Sequence, residues 1–231
     1  MRRTKEEAAR TREAILEGAL ECFDRYGITS ATVEQIACAA GVTRGAVYHH
    51  FAGKREILRA IRDSVSLPLL DRADTALLRE DGSSPLARIE HFLLGVVEAL
   101  EKDPRKRRAL TVMQLRCEYV GELAQELAAG VRNIDRLAKA LEAAYRESAA
   151  AGELAPGLAP GIAALETIMF LNGLVRLWIV HGSGAAIRRN ARAVIAAHVG
   201  LRRARREPRA GRDHRTASGL IGRKMRSGYD T

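Results

Sequence analysis

Several side chains close together in the first quarter of the sequence are suited to hydrogen bonding with another molecule. A short stretch of helical pattern carries Thr43, Arg44, Gly45, Tyr48 and His49. Arg44 and His49 are donors, Tyr48 is long enough to reach a phosphate oxygen, and Gly45 removes a side chain where a backbone must approach closely. Thr43 is a preferred N-cap residue for such a helix. A helix face of this composition suits the major groove of DNA.

Two short helices joined by a tight turn are predicted to position these groups. Residues 32–51 read TVEQIACAAGVTRGAVYHHF, and apolar residues recur at helical spacing at positions 33, 36, 37 and 40. Gly41 then interrupts the pattern and is suited to the positive φ of such a turn. Ala37 is small where the helices are expected to cross closely. The pattern predicts a helix-turn-helix, although an αα corner with a glycine also occurs in helical proteins that bind no DNA.

The candidate DNA-binding residues divide into two groups by expected role. Arg44 and Thr43 are assigned to base edges. Tyr48, His49 and Lys54 are assigned to phosphates, because contacts to the DNA backbone are made from helix ends and flanking turns. Lys54 also follows Gly53 at the N-terminus of the next predicted helix, where anions bind. Thr32, which precedes the first of the two short helices, completes the predicted DNA-binding set.

The first 60 residues resemble the DNA-binding domain of the tetracycline-repressor (TetR) family. The similarity runs without a gap through TREAILEGALECFDRYGITSATVEQIACAAGVTRGAVYHHFAGKREIL, and it includes the Gly27 turn and the GKREIL start of a fourth helix. Two later segments, LRCEYVGEL at 115–123 and NGLVRLWIV at 172–180, resemble multidrug-efflux repressors of the AcrR type. The resemblance implies a homodimeric repressor of a palindromic operator, a hydrophobic small-molecule inducer and control of an efflux pump linked to antibiotic resistance. A metabolic operon that responds to a cellular metabolite is the alternative.

Composition agrees with a globular DNA-binding protein. Apolar residues make up 47% of the 231 positions, no uninterrupted apolar run reaches the ~18 residues of a membrane span, and the N-terminus lacks the apolar core of a signal peptide, so a cytoplasmic protein is expected. The three cysteines show no CxxC spacing, so neither a disulfide framework nor a metal site is expected. The net charge of +10 divides as +2 for residues 1–60, +1 for 61–201 and +7 for 202–231. The prediction of DNA binding therefore depends on where the side chains lie.

The pattern predicts an all-α protein with two domains and a tail. Residues 1–53 form the helix-turn-helix domain, residues 54–203 a helical ligand-binding and dimerisation domain, and residues 204–231 a basic tail expected to be disordered, with nonspecific attraction to DNA as its alternative role. Nine helices are expected: one at about 10–26, two short ones within 32–51, one at about 54–78, one after the loop at 80–85, and four at about 105–116, 119–151, 162–181 and 185–203.

The last two predicted helices carry more apolar surface than one buried face requires. A second buried face indicates a partner, and in the TetR family these helices form a four-helix dimer interface. The candidate dimerisation residues are Leu174, Trp178, Ala191, Val194 and His198. The alternative is that Trp178 and its neighbours only fill the core of the monomer.

The helices between the two ends are predicted to enclose a ligand cavity. Its candidate apolar lining is Phe92, Val96, Met113, Cys117, Leu123, Phe170 and Leu177, and its candidate polar anchors are Gln114, Arg116, Glu118, Asn172 and Arg176. Met and Phe at helical spacing are also typical of an ordinary core. Ser66 and Leu67 lie near the point where some AcrR-type relatives have an acidic residue that meets cationic drugs, so the resemblance does not extend to a preference for cations.

An enzyme is not expected. His49 and His50 are adjacent and diverge by ~100° on a helix, so they cannot share a metal. No HExxH, GxSxG, P-loop or GxGxxG pattern occurs in the required context, and no cofactor is predicted. A purely structural DNA-binding protein of the nucleoid is the other alternative, and it would need no cavity.

Overall fold

The computed structural model describes residues 4–77, 82–181 and 185–204, and these residues are almost entirely helical. Residues 205–231, which include nearly all of the basic tail, lie outside this set. The helices are α1 Lys5–Tyr26, α2 Val33–Ala39, α3 Arg44–His50, α4 Lys54–Leu77, α5 Pro85–Lys102, α6 Pro104–Leu115, α7 Ala124–Ala150, α8 Pro160–Val180 and α9 Ala186–Gly200. The all-α prediction is confirmed, apart from an isolated antiparallel bridge between Leu154 and Arg203.

Two helix starts differ from the prediction for local reasons. α1 begins five residues earlier than expected, because Thr4 and Glu7 form a capping box in which each side chain accepts a hydrogen bond from the other's backbone N–H. α7 begins later than expected. The Tyr119 hydroxyl donates to the Met113 carbonyl at 3.0 Å, and Gly121 has φ +56°, so the chain stays non-helical before a 3-10 turn leads into α7.

The N-terminal hydrophobic core is built by α1, α2, α3 and the first half of α4. It includes Phe23, Ile36, Val47 and Phe51, all of which are buried. The same core extends to Ala109, Val112 and Met113 of α6 and to Leu123. The helix-turn-helix core therefore continues beyond residue 53, where the sequence placed the domain boundary.

The second hydrophobic core lies among the C-terminal half of α4 and helices α5, α7, α8 and α9. Its largest members include Phe92, Tyr145 and Trp178. Because α4 contributes to both cores, one continuous helix joins them.

α8 is unusually apolar for a helix that packs in a protein core. By length and composition it is the one helix among the described residues that could cross a membrane, which is weak evidence because core helices satisfy the same test. In its most apolar window 44% of residues are buried within the protein. Five of its apolar residues are exposed: Ile162, Leu165, Met169, Leu177 and Val180.

Candidate DNA-binding face and ligand cavity

The helix-turn-helix is fixed by local hydrogen bonds. The Thr32 hydroxyl accepts from the Gln35 N–H at 3.1 Å, and the Gln35 side chain accepts from the Thr32 N–H at 2.8 Å. Gly41 has φ +64°, as the turn was predicted to require, and the Val42 N–H donates to the Ala37 carbonyl at 3.0 Å. These bonds end α2 and redirect the chain into α3.

The close approach of α1 and α2 occurs at Gly18, which the sequence analysis missed. A Cβ at this position would lie 2.8 Å from the Ala40 nitrogen, 3.0 Å from the Ile36 oxygen and 3.1 Å from the Ala39 carbonyl carbon. All three are backbone atoms, which cannot move aside as the end of a flexible side chain can. Ala37, which was predicted to lie where the second helix of the helix-turn-helix crosses, is buried.

The outer face of α3 carries the predicted polar groups. Arg44, Tyr48 and His49 are exposed, and the Arg44 guanidinium lies 5.4 Å from the centre of the Tyr48 ring. Arg44 Nη1 also pairs with Oε1 of Glu34 on α2 at 2.5 Å. Glu34, which the sequence analysis did not select, therefore orients the guanidinium in the free protein.

Thr43 and Gly45 lie at the start of α3. The Thr43 hydroxyl oxygen accepts from the Ala46 N–H at 3.1 Å, which leaves its hydrogen free for an external acceptor. At Gly45 an added Cβ would meet only the Thr43 hydroxyl oxygen, at 3.9 Å. The protein's own packing thus gives no reason for a glycine on this exposed helix.

Lys54 is placed differently from its predicted phosphate role. Its Nζ donates to the carbonyls of Ile28, Thr29 and Ala31, each at 2.8 Å. An ammonium has three hydrogens, so these bonds leave no donor for a phosphate. The assignment is corrected to a clamp that ties the N-terminus of α4 to the turn between α1 and α2.

α6 is bound tightly to the helix-turn-helix. Arg105 forms ion pairs with Glu13 and Glu17 on α1. At the other end of α6, the Ile28 N–H donates to the Arg116 carbonyl at 3.3 Å. A displacement of α6 would therefore be felt directly by α1.

A cavity of about 670 Å³ lies among α4, α5, α6, α7 and α8. Seven of the twelve candidate lining and anchor residues line it: Phe92, Val96, Met113, Gln114, Cys117, Asn172 and Arg176. The sequence analysis missed the contribution of α7, from which Leu127, Val131 and Ile134 line the cavity although they are partly exposed. Ser66 also lines it, whereas the Leu67 side chain lies outside the described residues.

Phe170 is one of five candidate ligand-binding residues that the structure places outside the cavity. Its ring stacks on His198 at 3.9 Å between centroids, so it turns toward α9 and away from the cavity. Leu123 joins the N-terminal core and Leu177 is exposed, while Arg116 and Glu118 are also outside the lining. Helical spacing identified the helices but not the side that each residue faces.

One end of the cavity is polar. Arg62 of α4 donates to the Glu126 carboxylate of α7 at 2.5 Å, and both side chains are nearly buried. Tyr119 lies beside this pair, and burial raises its pKa to about 12, so it remains a neutral hydroxyl. Burial likewise raises the pKa of Cys117, which keeps that thiol protonated.

Three of the five predicted dimerisation residues lie away from the surface of the protein. Leu174, Trp178 and Ala191 are buried in the core of the monomer, so they present no surface to a partner. Val194 is exposed, at 37%. The exposed apolar stripe of α8 instead consists of Ile162, Leu165, Met169, Leu177 and Val180.

His198 is half-buried and belongs to a hydrogen-bonded group between helices. Its Nε2 lies 3.0 Å from the Thr167 hydroxyl, which is 2.7 Å from the Tyr145 hydroxyl. Burial, with a smaller contribution from Arg202, lowers the pKa of His198 to about 4. His198 is therefore neutral at physiological pH and serves mainly to join α8 and α9.

A helix-turn-helix with a free polar face, coupled by shared helices to a ligand-sized cavity, defines a DNA-binding protein of the regulatory class. Residues 15–61 match the family described as bacterial regulatory proteins, tetR family, and residues 84–203 match the C-terminal region of MAATS-type transcriptional repressors. The chain belongs to the TetR family and is a transcriptional repressor of that type.

Three known proteins show how close this similarity is. The transcriptional regulator TtgR of Pseudomonas putida is 33% identical over 180 residues, which cover 78% of this chain and 85% of TtgR. The structure of NalD, the secondary repressor of the MexAB-OprM multidrug efflux pump in Pseudomonas aeruginosa, superposes with a TM-score of 0.76 at 29% identity, covering 87% of this chain and 100% of NalD. SmeT, the repressor of a Stenotrophomonas maltophilia multidrug efflux pump, superposes in its triclosan complex with a TM-score of 0.71 at 27% identity, covering 94% of this chain and 99% of SmeT.

Proposed function

We propose that the protein is a ligand-responsive repressor that binds a palindromic operator in the cytoplasm and controls a multidrug efflux pump. The observation that carries this proposal is that the cavity and the helix-turn-helix share α4 and α6. Met113 belongs to both the cavity lining and the N-terminal core, and the lining residues Val65, Leu110 and Cys117 pack against that core. The efflux assignment is supported by the NalD and SmeT relatives, which repress such pumps.

Operator recognition is assigned to α3. Arg44 and Thr43 read base edges, while Tyr48 and His49 contact phosphates. To reach a guanine, Arg44 must exchange its ion pair with Glu34 for the base. The pair is exposed on both sides and so costs little to break.

Dimerisation is assigned to the exposed stripe of α8, with Val194 of α9 beside it. An apolar stripe of this length on a helix otherwise packed in the core is typical of a surface that a second copy covers. A two-fold dimer would present two α3 helices to the two halves of a palindrome.

Release of DNA requires the ligand to bind the conformation that does not bind DNA more tightly than the one that does. A ligand with equal affinity for both conformations would leave their populations unchanged. A ligand that fills the cavity pushes on α6 at Met113 and on α4 at Ser66 and Leu69. Both helices continue into the N-terminal core, so the two copies of α3 move relative to each other. Coupling of this kind is typically about 1 to 3 kcal/mol, or roughly 5- to 150-fold in operator affinity.

The experiment is a fluorescence-anisotropy titration of labelled operator with hydrophobic drugs, dyes and plant phenolics. Val96→Trp should fill the cavity wall and abolish release, while DNA affinity without ligand stays within about twofold. Leu201→Trp, at a position that is 81% exposed and outside the cavity, is the matched control and should respond to ligand normally. If no such compound changes operator affinity but a cellular metabolite does, the regulated genes are metabolic and the efflux assignment is wrong.

A further inference from the structure

The charged residues of the cavity are strongly biased toward one sign. Of the described residues that line it, Arg62, Arg72, Lys106 and Arg176 are basic, and Glu126 is the one acidic residue. Lys106 is paired at 3.1 Å with Asp103, which lies outside the lining. A molecule inside the cavity therefore meets mainly positive charge.

The one carboxylate is already neutralised. Arg62 Nη1 donates to Glu126 Oε2 at 2.5 Å and approaches the Glu126 carbonyl at 3.4 Å. The Arg62 and Glu126 side chains are 12% and 9% exposed, so this pair is shielded from water. An organic cation would have to compete with Arg62 for Glu126, the one acidic residue among the described lining residues. It would also meet the positive charges of Arg72, Lys106 and Arg176.

The same pair joins two helices of the sensor. Arg62 lies on α4, which starts in the helix-turn-helix core, and Glu126 lies in the first turn of α7. Arg55, nearer the DNA-binding end of α4, adds a bond to Gln125 at 3.2 Å. The N-terminal half of α4 is thus joined to α7 by polar contacts, of which the Arg62–Glu126 pair lies within reach of a ligand in the cavity.

We propose that the cavity takes an apolar molecule with a carboxylate head, and that this head displaces Glu126 from Arg62. A carboxylate offers Arg62 Nη1 the same charge-assisted hydrogen bond that the Glu126 carboxylate provides, while Arg62 Nε and Nη2 stay bonded to Asp63 at 3.0 and 2.8 Å. The displaced Glu126 must rehydrate, because a buried carboxylate without a partner is strongly unfavourable. α4 then loses this ion pair with α7, while Asp74 at its other end stays paired with Arg136. This inference rests on the proposed function, since it names the ligand class of the same cavity.

Three probes with the same ring system and different heads test the charge preference. Calorimetric titration of the full-length protein at pH 7 with 2-naphthoate, 2-naphthalenemethanol and 2-naphthylmethylammonium should give affinities in that order. The carboxylate should bind at least about tenfold more tightly than the ammonium, a difference of about 1.4 kcal/mol. Equal binding of the three, tighter binding of the ammonium or no binding of the carboxylate overturns the proposal.

Glu126→Gln tests the exchange on Arg62. The variant keeps a hydrogen-bond acceptor of the same shape but removes the competing charge, so naphthoate should bind at least fivefold more tightly while the alcohol is unaffected. Glu142→Gln is the matched control, because Glu142 pairs with Arg146 at 2.5 Å on the same helix outside the cavity. Unchanged or weaker naphthoate binding by a folded Glu126→Gln variant contradicts the exchange, and the probe series on the unmodified protein remains decisive if the variant does not fold.

Operator binding in the same samples separates the two proposals. If the affinities follow the expected order but naphthoate leaves operator affinity unchanged, the ligand-responsive function fails and the head-group preference stands. If other compounds release the operator but the charge order is absent, only the head-group preference fails.

Discussion

Replacing Gly45 with alanine should make the protein more stable and a weaker DNA binder at the same time. The new Cβ would have no neighbour closer than the Thr43 hydroxyl oxygen at 3.9 Å, so it strains nothing within the protein. Alanine restricts the unfolded chain and favours the helix, which is worth about 0.5 kcal/mol in the free energy of unfolding near a helix start.

The expected loss of operator affinity follows from the close approach that Gly45 permits. A methyl group inserted into a closely packed contact typically costs about 1–3 kcal/mol. Because 1.4 kcal/mol is a factor of ten, the operator dissociation constant should rise by roughly 5- to 150-fold. Urea unfolding and fluorescence anisotropy measure the two quantities separately.

Two other glycines provide controls. Gly95→Ala lies in the interior of α5, where an added Cβ also meets nothing within 4 Å, so it should stabilise the protein without affecting DNA binding. Gly18→Ala should destabilise the helix-turn-helix by about 1–3 kcal/mol, because its Cβ would overlap backbone atoms of α2. If Gly45→Ala binds the operator as tightly as the unmodified protein, α3 does not approach DNA at this residue and the assignment is refuted.

Three further outcomes are expected. Lys54→Met removes the three hydrogen bonds to backbone carbonyls and should lower the free energy of unfolding by about 2 kcal/mol. The salt dependence of operator binding should be unchanged. If the slope of log affinity against log salt concentration instead becomes smaller by about one, Lys54 contacts a phosphate after all. Met169→Glu should give folded monomers in sedimentation velocity, whereas Leu174→Glu should unfold the protein because it places a charge in the core. If the Met169→Glu variant stays dimeric, dimerisation uses another surface. His198 has its pKa lowered from 6.5 to about 4, so the unfolded chain takes up its proton first and stability should fall as the pH drops from about 6.5 to 4. In urea unfolding, a folded His198→Gln variant should lose the fall in stability between about pH 6.5 and pH 4. If the variant and the unmodified protein show the same pH dependence, His198 is not its source.

Local sequence determined the features that depend on residues a few positions apart. The cap at Thr43 and the positive φ of Gly41 were predicted correctly, because each depends on bonds within about five residues. Helical periodicity likewise predicted the helices. Among the lining residues, Phe92, Val96 and Met113 follow from the same periodicity, since it places apolar residues of α5 and α6 toward the interior.

Tertiary structure decided every feature that joins distant segments. Lys54 meets carbonyls 23 to 26 positions away, and Arg62 meets Glu126 across 64 positions. Whether these charged side chains are exposed or buried cannot be predicted from the residues next to them in the sequence. On α8, apolar residues occupy nearly all sides, so periodicity could not tell that Leu174 faces the core while Met169 faces outward. The physical reason is that a helix fixes the angle between its own side chains, whereas only packing against other helices fixes which side is covered.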